Sequence, residues 1–266
     1  MCSIIGIFHD EHAFSKIQKG IQIMEERGRD GCGIFDGKTQ YAHTAEQLPP
    51  TTKENILGHG LHAIVNNVPQ PLVYERAVLV SNGEIYNWKE LEKEYRLSAK
   101  NDSDLLLKLL KKKGVEKTLP LLRGVYAFAY WEKDTLYLAR DIIGVKPLWY
   151  SREGKKLSFA SEKKVLEGTS QELNPRSILK YSLKTGKCSL KKREFLPQKS
   201  MLKDNILQQL HDTLKEAVRM RIPEKKFAIL FSGGLDSLII AKILKDLGQD
   251  FTCYTAATNE KSPDLL

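Results

Sequence analysis

Short apolar runs separated by polar turns fill the first half of the chain, and this pattern predicts many strands. Residues 3–8 form a continuous apolar run that is typical of a buried strand. Residues 61–65 and 77–80 predict two further strands. Residues 125–131 and 135–140 are apolar runs joined by a charged turn, which favours a hairpin. We therefore expect this part of the chain to be rich in sheet.

Helical spacing of apolar residues is rarer in the same part of the chain. Residues 14–27 place apolar side chains three or four positions apart, which predicts an amphipathic helix. A capping cluster at residues 101–103 precedes a second predicted helix over residues 105–110, which should end near Gly114. Many strands combined with few helices predict an α+β sandwich for this first domain.

The pattern changes after a lysine-rich stretch, residues 185–200, which we interpret as a linker. A helix is predicted over residues 202–218 and a strand over 227–231; a glycine turn, a helix over 237–247 and a strand over 251–255 follow. The order strand, turn, helix, strand predicts the start of a parallel α/β domain. A single unit of this kind cannot close a core, so we expect the second domain to be incomplete.

Overall composition excludes several classes of protein. The chain has 266 residues, of which 41% are hydrophobic and 28% charged, a balance typical of a globular protein rather than a disordered or fibrous one. No apolar stretch reaches the roughly eighteen residues of a membrane span, and the N-terminus lacks the basic region of a secretory signal. The four cysteines lie far apart without CxxC spacing. The sequence therefore predicts a cytoplasmic protein without a membrane partner.

The net charge of +9 is concentrated in one window of the sequence. Residues 151–230 hold 19 Lys and Arg against 9 Asp and Glu, whereas the rest of the chain is close to neutral. Such a patch can attract nucleic acid, nucleotide phosphates or an acidic partner. Because few aromatic residues are interleaved and no nucleic-acid motif is present, we interpret it as a solvated surface and expect no nucleic-acid partner.

Cys2 is the first candidate for chemistry. Removal of Met1 would leave Cys2 with a free α-amine, whose intrinsic pKa of about 7.7–8.0 suits it to act as the base for the thiol of the same residue. The alternative is an inert, buried cysteine at the start of a strand. The position of Cys2 alone does not separate these two interpretations.

Asn82 and Gly83 follow a predicted strand and precede Glu84. Asparagine amides and glycine N–H groups are donors that stabilise a tetrahedral oxyanion in acyl transfer. The alternative is a type I′ hairpin turn, for which Asn-Gly is the strongest short signal. Residues 87–90 are typical of a helix start rather than a returning strand, which favours the interpretation as an oxyanion hole.

The strongest motif is the string FSGGLDS, residues 231–237, between a predicted strand and a predicted helix. Gly233 and Gly234 let the backbone approach a ligand closely, and the helix N-terminus adds N–H groups and a positive dipole end. The Gly-Lys-Ser/Thr ending of a Walker A loop is absent. Asp236 beside a phosphate site indicates Mg²⁺. The alternative is a plain glycine turn in an α/β unit.

Taken together, the motifs resemble those of the glutamine-dependent asparagine synthetases. FSGGLDS is similar to the pyrophosphate loop of the ATP-pyrophosphatase superfamily, and the N-terminal part resembles the family's glutaminase domain. The resemblance implies an αββα N-terminal-nucleophile sandwich over residues 1–190 and a partial ATP-pyrophosphatase domain over residues 200–266. The other matching strings, in family order, are residues 1–4 (MCSI), 27–31 (RGRDG), 58–59 (GH), 70–71 (QP), 82–87 (NGEIYN), 103–104 (SD), 140–141 (RD), 144–148 (GVKPL) and 160–163 (ASEK).

The resemblance also implies a role for individual residues. Cys2 matches the nucleophile, and Asn82 with the N–H of Gly83 matches the oxyanion hole. Asp236 would bind Mg²⁺. The implied glutamine-binding residues are Ile64, Val65, Glu84 and Asp104. The implied ATP-binding residues are Phe231, Ser232, Gly233, Gly234, Asp236, Ser237 and Ala257.

The chain departs from the family pattern at several positions. Residues 59–62 read HGLH where the family has His-x-Arg-Leu, so Leu61 replaces the arginine that binds the glutamine α-carboxylate. Losing that bidentate pair should weaken glutamine binding, and His62 and Arg76 are the candidate substitutes. Leu106 stands where the family has an acidic residue. The rest of the synthetase domain is missing from the sequence, which implies a second polypeptide as a candidate partner.

The function implied by the resemblance is ATP-dependent transfer of an amide nitrogen from glutamine to aspartate. Cys2 would release ammonia from glutamine, and the second domain would use ATP and Mg²⁺ to activate the acceptor. Two rival interpretations stay open. One is a non-catalytic or regulatory homologue, which Leu61 and the short second domain favour; the other is an amidotransferase with a different acceptor.

Overall fold

The computed structural model describes residues 1–63, 66–195 and 205–257. The chain divides into two compact units, Met1–Pro197 (the N-terminal unit) and Gln198–Leu266 (the C-terminal unit). Over the described residues, the N-terminal unit holds two antiparallel sheets with four α-helices, and the C-terminal unit holds two strands and two helices.

Thirteen strands and four helices form the described part of the N-terminal unit. The strands are β1 (Ser3–Phe8), β2 (Cys32–Phe35), β3 (Thr39–Ala42), β4 (Ile56–Gly60), β5 (Leu72–Tyr74), β6 (Ala77–Ile85), β7 (Gly124–Glu132), β8 (Thr135–Arg140), β9 (Trp149–Glu153), β10 (Lys156–Ala160), β11 (Ser170–Glu172), β12 (Ser177–Ser182) and β13 (Cys188–Lys192). The helices are α1 (Ala13–Ile23), α2 (Trp88–Glu94), α3 (Asp102–Lys113) and α4 (Val115–Thr118). Short 3-10 helices occupy Glu25–Arg27, Ala45–Gln47, Leu119–Leu121 and Lys163–Val165.

Two sheets lie face to face between helical layers. The first has the strand order β11-β9-β10-β1-β4-β2-β3, and the second has the order β13-β12-β8-β7-β6-β5. Side chains of β1 alternate between two cores: Ile4 and Phe8 pack against the second sheet, while Ile5 packs against α1. On the outer face of the second sheet, Leu79 and its neighbours pack against α3. This layering confirms the predicted αββα sandwich.

Several predicted elements match the structure closely. The strand over residues 3–8 is β1, and the predicted hairpin is β7 and β8. The predicted capping cluster also forms: the side chain of Asn101 accepts a hydrogen bond from the Asp104 N–H at 2.9 Å, and α3 ends against Gly114. The helix predicted over residues 14–27 ends earlier, at Ile23, and continues as a 3-10 turn.

Two sequence predictions are wrong over described residues. The strand expected at 61–65 is not formed at 61–63; the strand is β4, which ends at Gly60. Its glycines lower strand propensity, yet they are required because a Cβ at Gly58 would lie 2.8 Å from Ile5 and one at Gly60 2.5 Å from Ser3 Oγ. The expected linker at 185–200 contains β13, which pairs with β12. The lysine-rich composition of this edge strand is therefore what made the segment look like a linker in the sequence.

The C-terminal unit contains α5 (Ile206–Arg219), β14 (Ala228–Leu230), α6 (Leu235–Asp246) and β15 (Thr252–Tyr254). The two strands pair in parallel, with Ile229 opposite Cys253, and α6 makes the crossover between them. A parallel pair needs such a crossover, which explains why strand, glycine turn, helix and strand follow each other in the sequence. The predicted start of a parallel α/β domain is confirmed. Residues 202–204 of the predicted helix lie outside the described residues.

Candidate active site

Cys2 directly precedes β1, and its thiol faces the chain that leaves β4. Its Sγ donates a hydrogen bond to the carbonyl oxygen of His62 at 3.6 Å and accepts one from the His62 N–H at 3.3 Å. Burial raises the pKa of the Cys2 thiol, although the His62 N–H and the nearby N-terminus lower it in part. The thiol therefore needs a base before it can act as a nucleophile at neutral pH.

A cavity brings Cys2 together with the predicted oxyanion donors. Residues from the ends of β1, β4 and β6, from the start of α3 and from the loop after β8 form its walls. The lining residues are Met1, Cys2, Leu61, His62, Ala63, Asn66, Val68, Gln70, Ser81, Asn82, Gly83, Glu84, Asn101, Asp102, Ser103 and Lys146. The cavity therefore contains Cys2, Asn82, Gly83 and Glu84 from the predicted site, whereas Asp104 is not among its lining residues.

Asn82 and Gly83 lie inside β6 and not in a turn. Asn82 pairs with Ala127 and Gly83 with Tyr126 across the β6–β7 ladder. The hairpin alternative is therefore excluded. The Asn82 side chain is buried, and with its amide oriented to satisfy both polar atoms, the nitrogen donates to the Cys2 carbonyl oxygen at 3.2 Å. A neutral amide donor thus contacts the backbone of the residue that carries the thiol.

Arg27 ties the nucleophile to the amide of Asn82. Its Nε donates to the Cys2 carbonyl oxygen at 3.3 Å, and its Nη2 donates to the Asn82 amide oxygen at 3.3 Å in the same orientation. Its Nη1 pairs with Glu162 at 3.2 Å, so the guanidinium is neutralised by a carboxylate. In the sequence, Arg27 stands out only as part of the matching string RGRDG, because no local pattern reveals these tertiary partners.

Two aspartates at the start of α3 have different surroundings. Asp104, predicted to bind glutamine, accepts hydrogen bonds from the Lys100 N–H and from Lys108 Nζ, both at 2.9 Å. Asp102 lines the cavity and accepts a hydrogen bond from the Ile85 N–H at 3.0 Å. Burial raises the pKa of the Asp102 carboxyl, and Glu84 raises it further. From the sequence alone, Asp102 is predicted only as part of a capping cluster, since its contact with Ile85 joins distant segments.

The cavity contains no arginine at the position where the family pattern has one. Leu61 lines the wall and is 8% exposed, and His62 lines it with an exposed side chain. Arg76, the other candidate substitute, is not a lining residue. Lys146 is a lining residue that the sequence analysis did not single out; its side chain is buried and its Nζ lies 3.5 Å from Met1 Sδ.

His59 and Gln70 connect the two sheets behind the cavity. His59 Nε2 donates to the carbonyl oxygen of Ser81 at 3.1 Å, and the Gln70 side chain bonds to both the N–H and the carbonyl of Ser81. Complete burial lowers the pKa of His59 to about 4, so the ring is neutral at physiological pH. His59 therefore holds β4 against Ser81, the residue before Asn82.

The second predicted site lies in the C-terminal unit, in the turn between β14 and α6. Gly233 has φ +74°, a conformation that favours glycine, and Gly234 is the N-cap of α6. Ser237 Oγ donates to the Gly234 carbonyl oxygen at 2.9 Å and lies 3.3 Å from Ser232 Oγ. Asp236 is exposed in the first turn of the helix. The loop thus presents N–H groups, two hydroxyls and a carboxylate to solvent.

The remaining predicted residues of that site follow from the parallel pairing. The Phe231 N–H donates to the Tyr254 carbonyl oxygen at 2.8 Å, and Thr255 Oγ1 donates to the Phe231 carbonyl oxygen at 2.7 Å. Ala257 follows two residues later and is exposed. Phe231 and Ala257 therefore lie beyond the carboxyl ends of adjacent parallel strands, where open α/β sheets bind ligands.

Other sequence-based expectations can be placed as well. Ile64 and Val65 lie outside the described residues. Over residues 1–63, 66–195 and 205–257, no cluster of three or more His, Cys, Asp or Glu side chains could hold a metal ion. The helices in those same ranges are all too short or too polar to cross a bilayer.

Two family models match successive parts of the chain. The glutamine amidotransferase domain model matches residues 1–207, and the asparagine synthase model matches residues 209–266. A putative glutamine-hydrolysing asparagine synthetase of Methanocaldococcus jannaschii is 33% identical over 100% of this chain and 55% of its own length. Asparagine synthetase B of Escherichia coli is 31% identical over 92% of this chain and 45% of its own length. The chain spans about half the length of these curated relatives.

A solved structure supports the fold. The glutamine phosphoribosylpyrophosphate amidotransferase of B. subtilis, complexed with ADP and GMP, superposes with a TM-score of 0.62 at 17% identity, covering 98% of this chain and 67% of its own. This likeness concerns the fold alone. The family model, by contrast, covers more than half of this chain, including Cys2, Asn82 and Gly83. The chain therefore belongs to the glutamine amidotransferase domain family and continues into a segment of the asparagine synthase type.

Proposed function

We propose that this chain hydrolyses glutamine at Cys2 and supplies the ammonia to an ATP-dependent synthetase reaction of the asparagine synthetase type. The observation that carries the proposal is the shared cavity of the Cys2 thiol, the Asn82 amide and Gly83. A protonated thiol, a buried neutral amide donor and a glycine backbone are the groups that acyl transfer from an amide requires.

The chemistry follows from the position of Cys2 in the chain. Once Met1 is removed, the α-amine of Cys2 accepts the thiol proton, and the sulfur forms a bond to the carboxamide carbon of glutamine. The Asn82 amide and the Gly83 N–H stabilise the resulting oxyanion. The ammonium group returns its proton to the nitrogen as the carbon–nitrogen bond breaks, which releases ammonia. Water then hydrolyses the thioester to glutamate and regenerates the thiol.

Substrate binding is proposed for the acidic residues around the cavity. Glu84 is exposed at the cavity wall, which supports its predicted contact with the α-ammonium group of glutamine. Asp104 would have to exchange its pair with Lys108 for that contact. Ile64 and Val65 keep their predicted role in lining the substrate pocket. Leu61 supplies no charge for the α-carboxylate, and this observation favours the rival proposal of a regulatory homologue.

ATP with Mg²⁺ is proposed as the ligand of the C-terminal unit. The FSGGLDS loop fits a pyrophosphate group because its glycines and the start of α6 leave N–H groups exposed beside the Ser232 and Ser237 hydroxyls. Asp236 would hold Mg²⁺ together with phosphate oxygens. Bound ATP would supply an activated carboxylate, aspartate by analogy with the relatives. The cytoplasmic location and a second polypeptide partner stay predictions, as does an alternative acceptor.

Intact mass and active-site labelling test the glutaminase half of the proposal. The purified protein should lack Met1, and an electrophilic glutamine analogue should label Cys2 and none of the other cysteines. A Cys2→Ser variant should lose labelling and glutamine hydrolysis, while a Cys188→Ser variant should retain both. Labelling of another cysteine, or glutamine hydrolysis by protein that retains Met1, contradicts the mechanism. A mature, reactive Cys2 without glutamine hydrolysis would favour the regulatory homologue.

A further inference from the structure

Lys146 contributes a buried positive charge to the cavity. It follows β8 in the loop that leads to β9, and with Met1 in place the residue is 9% exposed. Its Nζ lies 3.5 Å from Met1 Sδ, and among the described residues no ion pair of Lys146 with a carboxylate is formed within 4.0 Å. A buried lysine without a counterion is costly, and its charge acts on the neighbouring groups of the cavity.

The backbone around Lys146 is fixed by Asp141. One carboxylate oxygen of Asp141 accepts hydrogen bonds from the N–H groups of Gly144 and Val145, each at 2.8 Å, and the other accepts one from the Lys146 N–H at 3.0 Å. The same carboxylate also accepts from the Tyr126 N–H, in the strand that pairs with β6. The backbone of Lys146 is therefore fixed relative to β7, the strand that pairs with the one carrying Asn82 and Gly83.

The other charged groups near the N-terminus either form an ion pair or a hydrogen bond, or line another part of the cavity wall. Arg27 is paired with Glu162, and the Asp30 carboxylate accepts the Ala63 N–H at 2.7 Å. The further titratable groups that line the same cavity are Cys2, His62, Glu84 and Asp102. In the chain that retains Met1, burial lowers the pKa of the Met1 α-ammonium; Arg27 and Lys146 lower it further, and Cys2 and Asp30 raise it. Lys146 is thus the cation of this group whose charge is not matched by a carboxylate contact.

We propose that Lys146 is a positioning residue for the glutaminase reaction: its ammonium group stands beside the α-amine of processed Cys2 and keeps that amine neutral and able to accept the thiol proton. This rests on the proposed function. A fixed positive charge disfavours protonation of a neighbouring amine and favours the thiolate. Lys146 and Cys2 line the same cavity, and the charge of Lys146 opposes the rise in the pKa of the Cys2 thiol that burial causes.

The test is the pH profile of kcat/KM for glutamine in three processed proteins: the parent, Lys146→Met and Lys146→Arg. The methionine variant keeps an apolar side chain but removes the charge, so the acid limb of its profile should move to higher pH by about one unit. At pH values below the acid-limb midpoints of both proteins, its kcat/KM should then be about tenfold lower than that of the parent. The arginine variant should keep the parent's acid limb. Lys19→Met, which removes an exposed lysine from α1, is the matched control and should leave the profile unchanged.

A second measurement separates this inference from the proposed function. The rate at which iodoacetamide alkylates Cys2 should also shift to higher pH in Lys146→Met, and this readout needs no glutamine. Lys146→Gln replaces the methionine variant if thermal unfolding shows that the latter is misfolded. Unchanged pH profiles for both readouts overturn the role of Lys146, and an unchanged acid limb with a raised KM would instead assign it to the substrate carboxylate. A parent that is alkylated at Cys2 yet hydrolyses no glutamine contradicts the proposed function alone.

Discussion

Replacing Gly83 with alanine should displace the two proposed oxyanion donors, the Asn82 amide and the N–H of residue 83, without removing either of them. A Cβ at position 83 would lie 2.6 Å from Tyr126 Cβ and from the Val125 carbonyl oxygen, and 2.7 Å from Tyr126 Cα. Ordinary contacts begin at 3.4 Å, so the new methyl group is short of space by about 0.8 Å. Most of the opposing atoms are backbone, and a change of rotamer cannot move them. The β6–β7 ladder must open at the Gly83–Tyr126 pair.

The magnitude follows from that displacement. A misplacement of about 1 Å in a catalytic group costs about 10²-fold in rate, so we expect glutaminase kcat to fall by about that factor with a smaller change in KM. Overpacking of this kind should also lower the free energy of unfolding by about 1–3 kcal/mol. Steady-state glutamine hydrolysis and urea denaturation of the same preparations measure the two effects.

Gly114→Ala provides the matched control for loss of stability alone. Gly114 ends α3 with φ +78°, and no atom lies within 4 Å of a Cβ placed there. Alanine at this backbone conformation is strained by about 1–3 kcal/mol, yet Gly114 is not a lining residue of the cavity. The control should therefore lose stability and keep kcat. Equal loss of kcat in both variants, or an unchanged kcat in Gly83→Ala, would refute the reasoning.

Three further predictions concern the site and its support. Asn82→Ala should lower glutaminase kcat by about 10²–10³ with little change in KM, because the amide acts on the developing charge; a drop confined to KM would make Asn82 a substrate ligand. Leu61→Arg should lower KM for glutamine by about ten- to a hundredfold through a charge-assisted pair of about 1.5–3 kcal/mol, and weaker binding would show that another residue holds the carboxylate. For His59, whose folded pKa of about 4 is below the unfolded value, the stability contributed by the neutral ring is present above about pH 6.5 and is lost as pH falls toward about 4. His59→Asn should remove that pH dependence from urea unfolding, and equal slopes for both proteins would contradict it.

Local sequence patterns predict those elements whose hydrophobic period matches the faces that the fold buries. β1 is a continuous apolar run because it is central in its sheet and packs on both faces, and α3 has an Asn cap and a terminal glycine. β4 was misplaced because close packing against β1 selects glycine, which carries no strand signal. β13 was missed because an exposed edge strand rich in lysine has the composition of a linker.

The candidate site divides in the same way. Motifs led to Cys2, Asn82 and Gly83, and the fold brings all three to one cavity. The surrounding charges depend on pairings between distant segments that no spacing reveals. Asp104 pairs with Lys108 within its own helix, whereas Arg27 bridges Cys2 and Asn82 from the 3-10 helix that follows α1.

The β1–β4 register separates the nucleophile from the substitution at Leu61. Ser3 pairs with Gly60, so the residue before Ser3 meets the residues after Gly60, and the Cys2 thiol bonds to the backbone of His62. These contacts use main-chain atoms and do not depend on the side chain at 61. Leucine instead of arginine at position 61 can therefore remove the positive charge that would bind the substrate's α-carboxylate, while the position of the Cys2 thiol is unchanged. Reactivity of Cys2 and affinity for glutamine are thus separable in this fold, which is why labelling and KM have to be measured independently.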